Sequence, residues 1–126
     1  MLEQDYIMRQ IKEIVRTVLK LIFNIEADSP SAQLMESREE RALLEELIKL
    51  ADRGRVLEAE NSLEGLIEGG KSSLMLELLF YSHLNGKTDS FLETCRFSRE
   101  KIRAGIGRTM DRYGLSDLSE MLLSDL

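Results

Sequence analysis

Residues 73–86 read SLMLELLFYSHLNG, and this stretch decides the fold. Leu74, Met75, Leu76, Leu78, Leu79, Phe80 and Tyr81 leave a helix here with almost no polar face. A helix that is apolar nearly all round belongs in the interior, so other helices must surround it. Asn85-Gly86 closes the segment. The prediction is a central buried helix over Ser73 to Leu84.

The flanking sequence supplies the surrounding helices. The third predicted helix, Val56 to Glu68, is amphipathic through Val56, Ala59, Leu63, Leu66 and Ile67, and Gly69-Gly70 ends it. Before it, Leu34, Leu43, Leu44, Leu47, Ile48 and Leu50 mark a second helix over Ser31 to Asp52. Ser29 is the expected N-cap there, because Pro30 suits a first helical position. The near-polar run Met35 to Arg41 predicts fraying at that start. Arg53-Gly54-Arg55 is the expected turn. A short fifth helix falls over Asp89 to Thr94. A sixth begins after Ser98 and stops at Gly114, and a seventh covers Ser116 to Leu123. No six-residue alternation of β-branched and polar residues competes with this reading.

The first helix spans about residues 2–24. Ile7, Ile11, Ile14, Val18, Leu21 and Ile25 follow alternating steps of four and three, a heptad seam and the candidate partner interface. Val15, Leu19 and Ile22 widen the stripe beyond a two-stranded seam, which favours packing in a globular bundle. Arg9, Lys12, Arg16 and Lys20 give the polar side a basic character that raises a membrane-surface reading. Glu3, Asp5, Glu13 and Glu26 offset them, so no membrane contact is expected.

Composition agrees with a helical domain. Aromatic residues make up only 6%, and there is one proline. A hydrophobic fraction of 43% beside 32% charged residues is that of a folded globular chain rather than a disordered one. The net charge of −6 argues against nucleic acid, because phosphate-backbone binding needs a dominant basic field. The acid is concentrated in the middle: residues 29–70 hold ten Asp and Glu against five Lys and Arg. The single cysteine, Cys95, excludes an intrachain disulfide. No signal-peptide pattern and no long uncharged apolar run is present, so a cytoplasmic location is expected. The expected organisation is one all-α domain over residues 1–126. It is a bundle of six or seven helices, with a helical-hairpin core over about 31–126.

Candidate sites are sparse. His83 is the only histidine, and Glu77 lies six residues before it, the wrong step for a shared helix-face metal site. Cys95 lies twelve residues after His83 across a turn, so a groove near His83 and Cys95 is the one place for a small enzyme or a ligand-binding regulator. No glycine-rich oxyanion loop accompanies the pair. Glu36, Glu39, Glu40, Glu45 and Glu46 interleave with Arg38 and Arg41 and read as a solvated helix face. Gly105-Ile106-Gly107 lies inside a predicted helix, where each glycine costs about 0.8–1 kcal/mol against alanine. Close helix–helix approach is its expected cause. No catalytic residue, metal ligand or cofactor is predicted.

Two resemblances stand beside this reading. Gly54, Ala59 and Leu63 sit at the steps of a tetratricopeptide hairpin, with Gly86 lying 32 residues after Gly54. Thr88, Phe91 and Cys95 do not repeat the small residue, so the pattern covers one unit and at most half of another. The segments MLEQDYIMRQIKEIVRTVLKLIFNIE, EAENSLEGLIEGG, LLFYSHLNGKTDSFLE, FSREKI and RYGLS resemble an uncharacterised family of small, mainly Gram-positive bacterial proteins. That resemblance implies a cytoplasmic all-helical domain with no established activity. Taken together, the residues predict a non-enzymatic module that binds another protein or its own copy.

Overall fold

The computed structural model describes residues 2–123, with side chains from position 4; positions 1 and 124–126 of the expected domain lie outside the described residues. Seven α-helices follow one another: α1 (Leu2–Phe23), α2 (Arg38–Asp52), α3 (Val56–Glu68), α4 (Leu74–Asn85), α5 (Asp89–Thr94), α6 (Arg99–Arg112) and α7 (Ser116–Leu123). No strand occurs among the described residues. The fold is an all-α bundle.

α4 is its axis. Leu76, Leu78, Leu79, Phe80 and Leu84 are buried to 2% exposure or less, and α1, α2 and α6 pack around them. Burial of a Leu- or Phe-sized side chain is worth about 1.5–3 kcal/mol, so this helix holds the bundle together. α2 and α3 form a hairpin through Ala51, Val56 and Ala59, all fully buried at its bend. α7 closes the other side against α6 and α1.

Hydroxyl caps start the helices. Ser37, Ser73, Thr88 and Ser98 each accept a hydrogen bond from a backbone N–H in the first turn of α2, α4, α5 and α6. These caps satisfy N–H groups that have no partner within the helix. Gly54, Gly70 and Gly114 take positive φ where α2, α3 and α6 end, a conformation glycine adopts without strain.

The start of α2 differs from the sequence expectation. Ser31 caps only a single 3₁₀ turn, Ala32–Leu34. The chain then breaks, and Ser37 caps the helix proper. The polar run from Met35 gives no apolar face to hold a longer helix against the core. Met35 alone is buried, and its carbonyl accepts from the Arg41 guanidinium at 2.5 Å. Arg41 therefore turns back to the loop.

Gly105 explains itself by contact. A Cβ added there would lie 2.3 Å from the Tyr81 ring, so α4 and α6 meet at this point only because the residue is glycine. Gly107 is different: an added Cβ would reach nothing closer than Leu123 Cδ1, at an ordinary 3.6 Å.

Candidate functional site

The heptad seam of α1 splits in two. Ile7, Ile11, Ile14 and Val18 are turned into the chain's own core, at 4% exposure or less, against α4, α6 and α7. They offer no surface to a second chain. The wide stripe is the physical reason, since a face this broad is covered by three neighbouring helices rather than by one partner. Beyond Leu19 the cover thins. Leu21 is 65% exposed and Ile22 48%, while Ile25 is half-buried.

Beside this uncovered end lies a cleft of about 680 Å³. Ile22, Phe23 and Ile25 form one wall, and Leu34, Leu74 and Met75 form the other. Glu36 and Glu40 stand at its rim, and no cationic side chain lines it. One carboxylate oxygen of Glu40 is buried and accepts no hydrogen bond from any described residue. Leu21 lines a second depression together with Arg16, Lys20, Glu13, Glu26 and Asp28. Arg16 lies 3.7 Å from Glu13 and Lys20 lies 2.7 Å from Glu26, in pairs that are largely exposed. Exposed pairs of this kind contribute about 0–1 kcal/mol, so either cation can change partner at little cost.

Asn24 closes α1 in the left-handed region, at φ 56°, and the Ile25 N–H bonds back to the Leu19 carbonyl. That reversal turns Ile25 toward the cleft. Asn tolerates this conformation better than most side chains.

His83 and Cys95 do not form a pair. His83 Nε2 lies 2.7 Å from Asp52 Oδ1, which Lys87 Nζ also approaches at 2.6 Å. Burial works against ionisation of Asp52, but hydrogen bonds from His83 and Lys87 outweigh it and hold the carboxyl below its usual range. Lys87 sits over the Phe91 ring, 5.0 Å from its centre. Cys95 is buried at the C-terminal end of α5. A groove of about 700 Å³ does run beside His83, between α1 and the end of α4; Arg9, Lys12 and Arg16 line it with Glu13 and Asp28. Cys95 takes no part in its lining.

Two polar clusters went unread in the sequence. Glu77 is fully buried, yet its carboxylate accepts four side-chain donors. Ser72 and Tyr113 reach Oε2 at 2.7 and 3.0 Å; Thr109 at 2.8 Å and Arg112 reach Oε1. Burial, then the adjacent negative charge and hydrogen bond of Glu77, push the Tyr113 hydroxyl up to about 12. The signal was present: a lone glutamate in LMLELLF must find donors if the helix is buried. Arg99, 2% exposed, donates to the carbonyls of Asn85 at 3.2 Å and Lys87 at 2.6 Å and pairs with Asp89. It thereby caps the C-terminal end of α4 and fixes the loop into α5.

Among the described residues no three His, Cys, Asp or Glu side chains group closely enough to hold a metal ion. Among the described residues no helix is long and apolar enough to cross a membrane. The apolar end of α1 and its cleft leave an uncovered edge on this all-helical bundle, and Tyr6, Leu57 and Met121 are exposed elsewhere on it. The chain belongs to DUF6483, a family of unknown function, whose model matches residues 1–114 and so stops before α7. No curated protein and no solved structure matches it.

Proposed function

We propose that this chain is a non-enzymatic protein-interaction module whose contact face is the C-terminal end of α1 with the adjoining cleft. The observation that carries this reading is the exposure of Ile22, which lines a cleft walled by further apolar side chains, together with that of its neighbour Leu21. Contiguous apolar surface rimmed by charge marks interaction sites on folded proteins. Apolar anchors seated in a pocket supply most of the energy of such contacts.

The test is affinity capture from native lysate with the intact chain and with a Leu21→Glu/Ile22→Glu variant. The reading expects partner proteins that the variant loses. Identical capture by both would remove this face from the account.

A further inference from the structure

The groove beside His83 differs in kind from the cleft at the end of α1. The two share no lining residue, and Pro30 supplies the one apolar side chain among the described residues that line the groove. We infer that this groove binds a phosphate compound with a hydrophilic body, a short polyphosphate or a sugar phosphate, through Arg9, Lys12, Arg16 and Lys87. The inference is independent of the interaction reading above.

Arg9, Lys12 and Arg16 follow one another at steps of three and four on α1, so they share one face of that helix. Lys87 belongs to the other wall, just after α4. Glu13 and Asp28 share the lining, so four permanent cations meet two carboxylates in a chain whose net charge is −6. Arg16 approaches Glu13 at 3.7 Å with both side chains more than half exposed, a pair worth about 0–1 kcal/mol. Lys12 has no acid partner among the described residues. A multiply charged phosphate engages several cations at once and displaces so weak a pair. The guanidinium forks of Arg9 and Arg16 match phosphate oxygens two at a time. Ser29 and Ser82 bring hydroxyls to the same lining, and neither bonds to another described residue. A volume of about 700 Å³ is that of a small-molecule site. With no aromatic or aliphatic wall, the groove offers nothing to a nucleobase or another apolar body.

The wall opposite α1 is held in place. Asn85 Nδ2 donates to the Met8 carbonyl at 3.1 Å and ties the end of α4 to α1. Asp52 holds both His83 and Lys87 on one oxygen and offsets part of the Lys87 charge. The carbonyls at the C-terminal end of α4 repel an anion. The buried Arg99 guanidinium answers this, since it donates to the Asn85 and Lys87 carbonyls. A wall already ordered in this way loses little entropy when a ligand arrives.

Isothermal titration of the full chain at fixed ionic strength, with sodium tripolyphosphate and with glucose 6-phosphate as probes, is the test. One saturable site is expected for at least one of them. Arg9→Gln/Lys12→Gln should weaken it at least about tenfold, as for lost charge-assisted hydrogen bonds. Arg38→Gln/Lys49→Gln removes the same charge from α2, away from the groove, and should stay within about threefold because distant exposed charges are screened. All four side chains are exposed, and an unchanged urea midpoint checks that both variants keep the fold. Tighter binding of tripolyphosphate assigns the groove to a polyphosphate chain, and tighter binding of glucose 6-phosphate to a sugar phosphate. No saturable binding of either probe at millimolar concentration overturns the inference. An equal loss in the two double variants also overturns it, since general charge attraction would then account for the binding.

Discussion

The α4–α6 junction and the C-terminal end of α1 handle their side chains in opposite ways. At the junction a charged group is buried and every oxygen of it is met: Glu77 takes donors from Ser72, Thr109, Arg112 and Tyr113. At the end of α1 large apolar groups are left in water: Leu21 and Ile22. A buried charge is tolerated only with a full set of partners, and it then fixes how the helices align. An exposed apolar edge has no such local compensation, and burial against another surface is what relieves it. The junction is thus satisfied within the chain itself, whereas the α1 end is not, and the proposed reading assigns its cover to a partner.

The first way to break this contrast is at Glu77. Glu77→Ala removes one side of a buried ion pair and leaves the donors of Thr109 and Tyr113 without their acceptor. The expected loss is about 3–5 kcal/mol, read from urea unfolding. A loss under about 1 kcal/mol would mean that the junction does not depend on the carboxylate.

The two helix glycines sharpen the same region. Gly105→Ala should destabilise by about 1–3 kcal/mol, because its Cβ would overlap the Tyr81 ring and force α4 and α6 apart. Gly107→Ala meets only ordinary contact and should gain up to about 1 kcal/mol from helix propensity. The two thermal midpoints should therefore move in opposite directions.

Alkaline pH probes the Tyr113 hydroxyl bonded to Glu77. Its pKa is raised in the folded chain from 10.0 to about 12, so the neutral phenol is favoured by folding. That contribution is complete below pH 10.0 and is lost as the pH rises through about 12. Burial raises Tyr81 in the same direction, so both tyrosines steepen the alkaline loss. Denaturation followed across that window should give a shallower decline for Tyr113→Phe than for the intact chain. Equal slopes would show that the hydroxyl carries none of it.

The least effect on stability is expected at the other region. Leu21→Glu and Ile22→Glu should change the unfolding free energy by no more than about 0.5 kcal/mol each, since both side chains already face water.

Much of this architecture can be read in the sequence where local signals are strong. Val56–Glu68, Asp89–Thr94 and Ser116–Leu123 fall where the sequence places them: glycines at 54 and 69–70 bracket the first, the Thr88 hydroxyl caps the second and Gly114 precedes the third. The closure after α5 is not legible in this way: Arg96 takes φ 58° with no glycine to announce it, and the Phe97 N–H returns to the Leu92 carbonyl. Ser29 is the cap the sequence suggests for the second helix, but Ser31 caps the 3₁₀ turn and Ser37 caps α2. The α1 seam shows a deeper limit. A heptad pattern states that a face is apolar, not which neighbour covers it. Ile7 to Val18 are covered by the chain's own helices, and Leu21 is not. Glu77 and Arg99 each look like a single charge among many. Their burial depends on partners 32 and 14 residues away, such as Thr109 and Asn85, which no local window contains.

The central claim is that the end of α1 serves association and not folding. Lysate capture and urea midpoint, measured on the same samples of the intact chain and of Leu21→Glu/Ile22→Glu, test it most directly. The account predicts an unchanged midpoint together with loss of the captured partner proteins. A lowered midpoint would make the edge part of the chain's own core, and unchanged capture would place association elsewhere; either result contradicts the account.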